Sequence, residues 1–154
     1  WVTMKGAGRE IPLAVGLVSD QKMVTIIGYH MQGIPGIAAD VFQTIASRGV
    51  SVSLITQSCT ECAISFTLPE TETISLGHEY CMEVKKVSIV TIVGEYMRQK
   101  VGVAARFCAE LANDNINILA LSQGSTEMSI SAVVVRGEGE RAAIAAHRMC
   151  QRKR

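Results

Sequence analysis

Aromatic side chains are few in this chain: three Phe, three Tyr and one Trp, 5% of the residues. A core with so few rings must be aliphatic, built from Val, Ile, Leu, Ala and Met. An excess of one charge is also missing, since 15 Lys and Arg nearly balance 14 Asp and Glu for a net +1. That balance excludes a protein that grips nucleic acid through its overall field. The one dense basic cluster, Arg152 to Arg154, reads as a solvated chain end. No apolar run approaches the ~20 residues of a membrane span. The opening WVTMKGAGREIP lacks the apolar stretch of a signal peptide. Five cysteines, at 59, 62, 81, 108 and 150, are an odd and scattered set. They do not suggest a secreted disulfide framework, and reduced thiols in a cytoplasmic protein are the expectation.

What is present is apolar material: 48% hydrophobic against 19% charged residues. The 154 residues can therefore pack one ordinary domain or two small ones. The chain also repeats itself. GYHMQGIPGIAADVF from Gly28 aligns without a gap on GEYMRQKVGVAARFC from Gly94, an offset of 66 residues. The same offset carries Met31 onto Met97, Gln57 onto Gln123, Glu61 onto Glu127 and Ser65 onto Ser131. Roughly 14 of about 46 positions from Val24 to Pro69 are identical to their counterparts. Self-similarity of this kind means one supersecondary unit used twice.

Each copy has the same rhythm. β-Branched runs at Val24–Gly28 and Val87–Gly94 predict strands. A glycine-bearing loop follows each. Apolar residues then recur at helical spacing, as Ile37, Val41, Ile45 and as Val103, Phe107, Leu111, which predicts helices over Ile37–Ser47 and Val103–Asn113. Second strands are expected at Val50–Thr56 and Ile116–Ser122, third strands at Ala63–Leu68 and Ser129–Val135, and an Ala- and Arg-rich helix at Glu138–Cys150. The fold class is thus α+β: two ferredoxin-like βαββαβ modules. The second copy runs out of chain after its helix, and its edge strand is expected from Leu13–Val18. The predicted modules are residues 22–86, and residues 12–19 plus 87–150, the first inserted into the second. One stretch fits poorly. Glu70–Lys86 should hold a helix and a strand but is short and carries Thr, Ile and Gly. Either the first module is trimmed there or residues are missing from the sequence.

Both copies carry V-x-I-x-G-x-x-M-x-x-x-x-G-[IV]-A-A, then a strand ending I-T-Q or L-S-Q, then T-E-x-x-I-S. In this order the wording resembles the paired ACT domains of aspartate kinases, over about Leu13 to His147. LITQSCTECAISF and ALSQGSTEMSIS look most like the threonine-sensitive members, often fused to homoserine dehydrogenase. Lysine-sensitive members commonly carry Asp at the position of Ser53, which cannot meet a ligand's second ammonium; threonine is therefore favoured over lysine. The resemblance implies a non-catalytic regulatory fragment that binds an aspartate-family amino acid and gives allosteric feedback inhibition. It implies a homodimer through the ACT modules and an attached kinase domain ahead of Trp1, to which ATP and Mg would belong, with no cofactor in this chain. A stand-alone ACT-type sensor, or a regulatory subunit of another biosynthetic enzyme, is the alternative.

The residues give this a physical basis. The loop His30–Gly36 ends in Pro35-Gly36 and opens into a helix near Ile37 and Ala38. A helix N-terminus offers amides and partial positive charge to a carboxylate. Gly33 and Gly36 let the backbone approach a ligand. Gln57, at a strand end beside that loop, offers both donor and acceptor to an ammonium and a hydroxyl, and carbonyls of Val52 to Ile55, Ser53 among them, would complete the ammonium's partners. Met31 stands as a core or loop anchor beside the ligand. The second copy offers Met97, Gly102, Val103, Ala104, Asn117, Ile118 and Gln123 as a second site, but has Gln99 and Val101 where the first has Gly33 and Pro35. The first copy is therefore the better site. Glu61 and Glu127 are expected to be structural, making turn or interface hydrogen bonds.

Other motifs carry less. Cys59-Thr-Glu-Cys62 is a C-x-x-C without a second ligand pair, so no metal is expected. GAGRE, from Gly6, lacks the strand and G-K-[ST] of a phosphate loop. RNA binding on the sheet would need exposed stacking rings. Phe66 is the one candidate in the first copy, and Ala132 replaces it in the second.

Overall fold

The computed structural model describes residues 14–28, 31–59, 62–74 and 81–151. The segment GAGRE, Leu13, His30, Glu61 and the basic tail lie outside them. Two compact units divide the chain, one of residues 20–86 and one of residues 14–19 with 87–151. Each is an antiparallel sheet with helices packed against it.

The first unit contains the second half of β1 (Ala14–Ile27), α1 (Ile37–Ala46), β2 (Leu54–Gln57) and β3 (Ala63–Pro69). The strand order is β2-β3-β1, both pairings antiparallel. Val24, Ile26, Ile64, Phe66 and Leu68 alternate along β1 and β3, and so share the face that meets Val41 and Ile45 of α1. Phe66 is fully buried there, its ring edge-on to Phe42 at 5.7 Å, which removes it as a stacking platform for RNA. No helix occurs among the described residues 62–74 and 81–86. After β3 the chain turns, Glu70 N–H bonding Asp20 O at 2.9 Å, and the Lys22 ammonium donates to the Glu70 and Glu72 carbonyls. Thr71, Thr73 and Ile74, of weak helix propensity, follow this turn.

The second unit repeats the plan with β4 (Cys81–Val93, entering at Val87), α2 (Val103–Asn113), β5 (Ala120–Gln123) and β6 (Ser129–Val135), then α3 (Gly139–Gln151). Its sheet order is β5-β6-β4, and the first half of β1 completes it, with Val15 and Leu17 packed on the core. Val90, Ile92, Ile130, Ala132 and Val134 face Val103, Phe107 and Leu111 of α2 and Ala142, Ala145, Ala146 and Met149 of α3. The repeat extends to the polar face: Thr25 and Ser65 hydroxyls pair at 3.0 Å, and their counterparts Thr91 and Ser131 at 2.8 Å.

Four strands differ from the expectation, β4 by beginning at Cys81, six residues before Val87. β2 and β5 begin at Leu54 and Ala120, four residues later than Val50 and Ile116. Ser53 N–H and Leu119 N–H bond Thr67 O and Val133 O, which also lie opposite Leu54 and Ala120. Two residues against one is a β-bulge, and it ends the ladder. The described part of the run predicted at Leu13–Val18, from Ala14, and Val24–Ile27 of the run predicted at Val24–Gly28 belong to the single strand β1, in which Asp20 has a φ of 55°.

An ion cluster ties α3 to α2. Arg148 Nε donates to Glu110 Oε2 at 3.2 Å and Arg148 Nη2 to Asp114 Oδ1 at 2.8 Å, while Arg141 Nη2 donates to Asp114 O at 2.6 Å. Asp114, then Glu110, hold the Arg148 guanidinium above its ordinary pKa by hydrogen bonding. The Glu110 carboxylate is almost wholly buried, so losing the cation leaves it poorly solvated. Arg148→Met is expected to lower the thermal midpoint, and adding Glu110→Leu to recover it. A melt of the double variant no higher than that of Arg148→Met would show that the cluster is not what pins α3.

Candidate functional site

In the first unit, β1 delivers the chain through Gly28 into a loop folded on itself, with Met31 N–H on Gly28 O at 3.1 Å and Ile34 N–H on Met31 O at 3.3 Å. Two residues there have positive φ, Gly33 at 72° and Gly36 at 97°, a conformation that costs other residues about 1–2 kcal/mol. Gly36 is the N-cap of α1, and no side chain caps that helix among the described residues. The first intrahelical donor is Asp40, on Gly36 O at 3.0 Å. The amides of Ile37, Ala38 and Ala39 thus precede the hydrogen-bond ladder and are available to an acceptor.

Ile37 and Ala38 border a cavity of about 290 Å³, lined with them by Met31, Gly33, Ile34, Pro35, Gly36, Gln57 and Ile64. Seven of the nine residues expected at the first site meet here. Gln57 arrives from the end of β2, opposite Ile64 of β3. Val52 and Ser53 are outside this lining. Val52 packs on the core beside Val50, and Ser53 sits at the bulge, its hydroxyl 3.4 Å from Gln21 Oε1.

The second unit reproduces the arrangement. Gly94 leads into a short 3-10 turn, Glu95–Met97, and Gly102, with φ 87°, is the N-cap of α2. Gln99 takes the place of Gly33 with nearly the same backbone, φ 58° against 72°. Its amide donates to Glu127 Oε2 at 2.7 Å, a charge-assisted bond that offsets the cost of a side chain at positive φ. The cavity here is about 450 Å³ and includes Met97, Gln99, Lys100, Gly102, Val103, Ala104, Gln123, Glu127 and Ile130. Asn117 and Ile118 are not part of its lining. They lie on the connection before β5, where Ile118 packs on the core.

Sequence reasoning passed over Ile34 and Ile64 in the first cavity, and Lys100, Glu127 and Ile130 in the second. Ile64 and Ile130 could have been found from the register that sets them across from Gln57 and Gln123. Glu127 was expected as a turn residue; it bonds the loop amide and lines the cavity as well.

The molecule is thus a duplicated α+β protein in which each copy opens a glycine-capped helix and a strand-end glutamine onto one cavity. The chain belongs to the ACT-domain family, whose description is "ACT domain" and whose pattern matches residues 24–75 and 90–149. A bifunctional aspartokinase/homoserine dehydrogenase of Haemophilus influenzae is 41% identical over 140 residues, 81% of this chain and 17% of the relative. A chloroplastic bifunctional aspartokinase/homoserine dehydrogenase of Arabidopsis thaliana is 30% identical over 145 residues, 84% of this chain and 16% of the relative. The chain thus spans about a sixth of the length of these curated relatives. Among solved structures, the regulatory subunit of aspartate kinase from Thermus flavus superposes with a TM-score of 0.72 at 26% identity, covering 87% of this chain and 95% of that one. Aspartate kinase from Synechocystis superposes with a TM-score of 0.74 at 30% identity, covering 94% of this chain and 28% of that one. No helix among the described residues is long and apolar enough to cross a membrane.

Proposed function

We propose that this chain is the amino-acid-sensing part of a cytoplasmic aspartate kinase, itself without catalytic residues, and that it gives feedback inhibition by threonine in preference to lysine. The observation that supports the reading is the first cavity, whose lining includes Gln57 and the first-turn residues Ile37 and Ala38 of α1. The α-carboxylate takes the helix amides, and Gln57 meets the ammonium and the hydroxyl. Among the described residues, no carboxylate lines this cavity to receive a lysine ammonium. The second cavity is a further effector site of lower affinity, because Gln99 and Val101 stand where glycine and proline shape the first loop. ACT modules of two copies pair to form a homodimer, and the effector favours one packing over another; regulation requires that difference in affinity. The bifunctional relatives favour homoserine dehydrogenase as an attached partner beside the kinase.

Calorimetry with the twenty amino acids tests this. Threonine is expected to bind and lysine not to bind at comparable concentration. Gln57→Ala should weaken threonine about tenfold, the value of one or two hydrogen bonds to a charged ligand, with no change in thermal midpoint without ligand. Unchanged affinity removes Gln57 from the site, and a lysine response overturns the choice of effector.

A further inference from the structure

One sequence motif has no part in effector binding as read above: Cys59-Thr-Glu-Cys62, at the end of the β2–β3 hairpin. The two strands pair from Leu54↔Thr67 to Gln57↔Ile64, and Ser58 N–H carries the ladder on to Ala63 O at 3.0 Å. Cys59 follows Ser58 and Cys62 precedes Ala63, so this bond sets the two cysteines on its turn side, past the last ladder pair. A disulfide bridges Cα atoms about 4.4–6.8 Å apart, a span within reach of residues that flank a hydrogen-bonded pair on its turn side. Cys59 is exposed and Cys62 half-buried, so a small oxidant reaches the pair. Among the described residues no third His, Cys, Asp or Glu joins them in a metal-binding group. The second copy has Ser125 and Met128 at these positions.

Two connections run from this pair to the first cavity. Gln57 ends β2 two residues before Cys59 and lines the cavity. Cys62 O accepts the Gly28 N–H at 3.0 Å, and Gly28 O in turn accepts from Met31 N–H at the start of the cavity loop. The hairpin tip therefore holds both the glutamine and the loop.

We propose that Cys59 and Cys62 are a reversible dithiol–disulfide pair whose oxidation locks the hairpin tip and tightens ligand binding at the first cavity alone. The oxidant is a low-molecular-weight disulfide. One cysteine thiolate attacks a sulfur of that molecule and expels one small thiol. The other cysteine attacks the mixed disulfide and expels the second. Two protein thiols lose two electrons and two protons, and the external disulfide is reduced to two thiols. Locking acts through preorganisation, because Gln57 and the Gly28 tether then lose less freedom on binding. This last effect rests on the effector reading above.

The test equilibrates the chain in glutathione buffers of varied ratio, quenches it by alkylation and maps the peptides by mass. The peptide carrying both cysteines is expected to lose two hydrogens reversibly, and hydrogen exchange at the Gly28 amide to slow in the oxidised form. Threonine should bind the oxidised chain roughly two- to tenfold tighter, the gain from immobilising one rotamer-rich side chain beforehand. Cys59→Ser should bind with the reduced affinity whatever the buffer. A glutathione adduct that goes no further, or a bridge to Cys81, Cys108 or Cys150, overturns the proposal, as does equal affinity in both redox forms. If neither form binds any amino acid while the bridge forms and Gly28 exchange slows, the switch stands and the effector reading falls.

Discussion

Phe107→Ala is expected to destabilise the chain by about 3–5 kcal/mol, the cost of removing a fully buried ring from a core that cannot close around the gap. Stability of a domain this size is about 5–15 kcal/mol, so the variant should stand near the edge of folding in urea at room temperature. The reason lies in how the two units fill equivalent space. The repeat sets Phe107 where the first copy has Val41, and Ala132 where it has Phe66. The first unit puts its ring on the strand and sets Phe42 edge-on against it. The second puts its ring on the helix, because Ala132 is covered by the alanine face of α3, Ala142, Ala145 and Ala146. Ala132→Phe therefore should not rescue Phe107→Ala, although it restores a ring to the layer: the new side chain meets α3, and overpacking adds about 1–3 kcal/mol of its own. A loss below about 1 kcal/mol for Phe107→Ala, or recovery by Ala132→Phe, would show that α3 is not seated where the alanines place it.

Much of this architecture was legible because the chain states it twice. A glycine, a methionine or a glutamine alone is ambiguous, but the same three at one offset fix a strand, a loop, a helix start and a second strand end in a common frame. The backbone repeats with them: positive φ at Gly36 and Gly102, and at Gly49 and Asn115. What was not legible depends on contacts between distant residues. Val50–Ser53 has the β-branched character of a strand, yet the ladder starts at Leu54 because Ser53 N–H is taken by Thr67 O across a bulge. Hydrophobic alternation says nothing of such a bond. The lining by Lys100 and Glu127 was hidden for a related reason. Glycine announces a left-handed backbone in sequence, whereas Gln99 adopts one only because Glu127, 28 residues away, receives its amide. Val52, Ser53, Asn117 and Ile118 are near in sequence to Gln57 and Gln123 but lie outside the linings of the two cavities, and Val52 and Ile118 pack on the cores.

Ala38→Asp should weaken amino-acid binding at the first cavity on the order of a hundredfold while leaving the fold as stable as before. Ala38 is half-buried in the first turn of α1 and lines the cavity. An acidic residue in a helix's first turn interacts favourably with the N-terminal dipole, by about 0.3–1 kcal/mol, which offsets the modest packing lost with the methyl. For the ligand the same change is adverse twice. The new carboxylate competes for amides whose charge-assisted hydrogen bonds are worth about 1.5–3 kcal/mol. It also sets a negative charge within a few ångströms of the ligand's own, a repulsion of about 4 kcal/mol at 4 Å near a protein surface. Even with much of that screened, affinity should fall on the order of a hundredfold, as measured by calorimetry, with the thermal midpoint of the unliganded chain nearly unchanged. Ala104→Asp makes the equivalent change at α2. If the first cavity is the stronger site, Ala104→Asp leaves the tight binding phase intact and removes only a weaker one. Full affinity in Ala38→Asp would mean that the ligand's carboxylate does not sit on the α1 amides, and the first cavity would lose its claim to the effector.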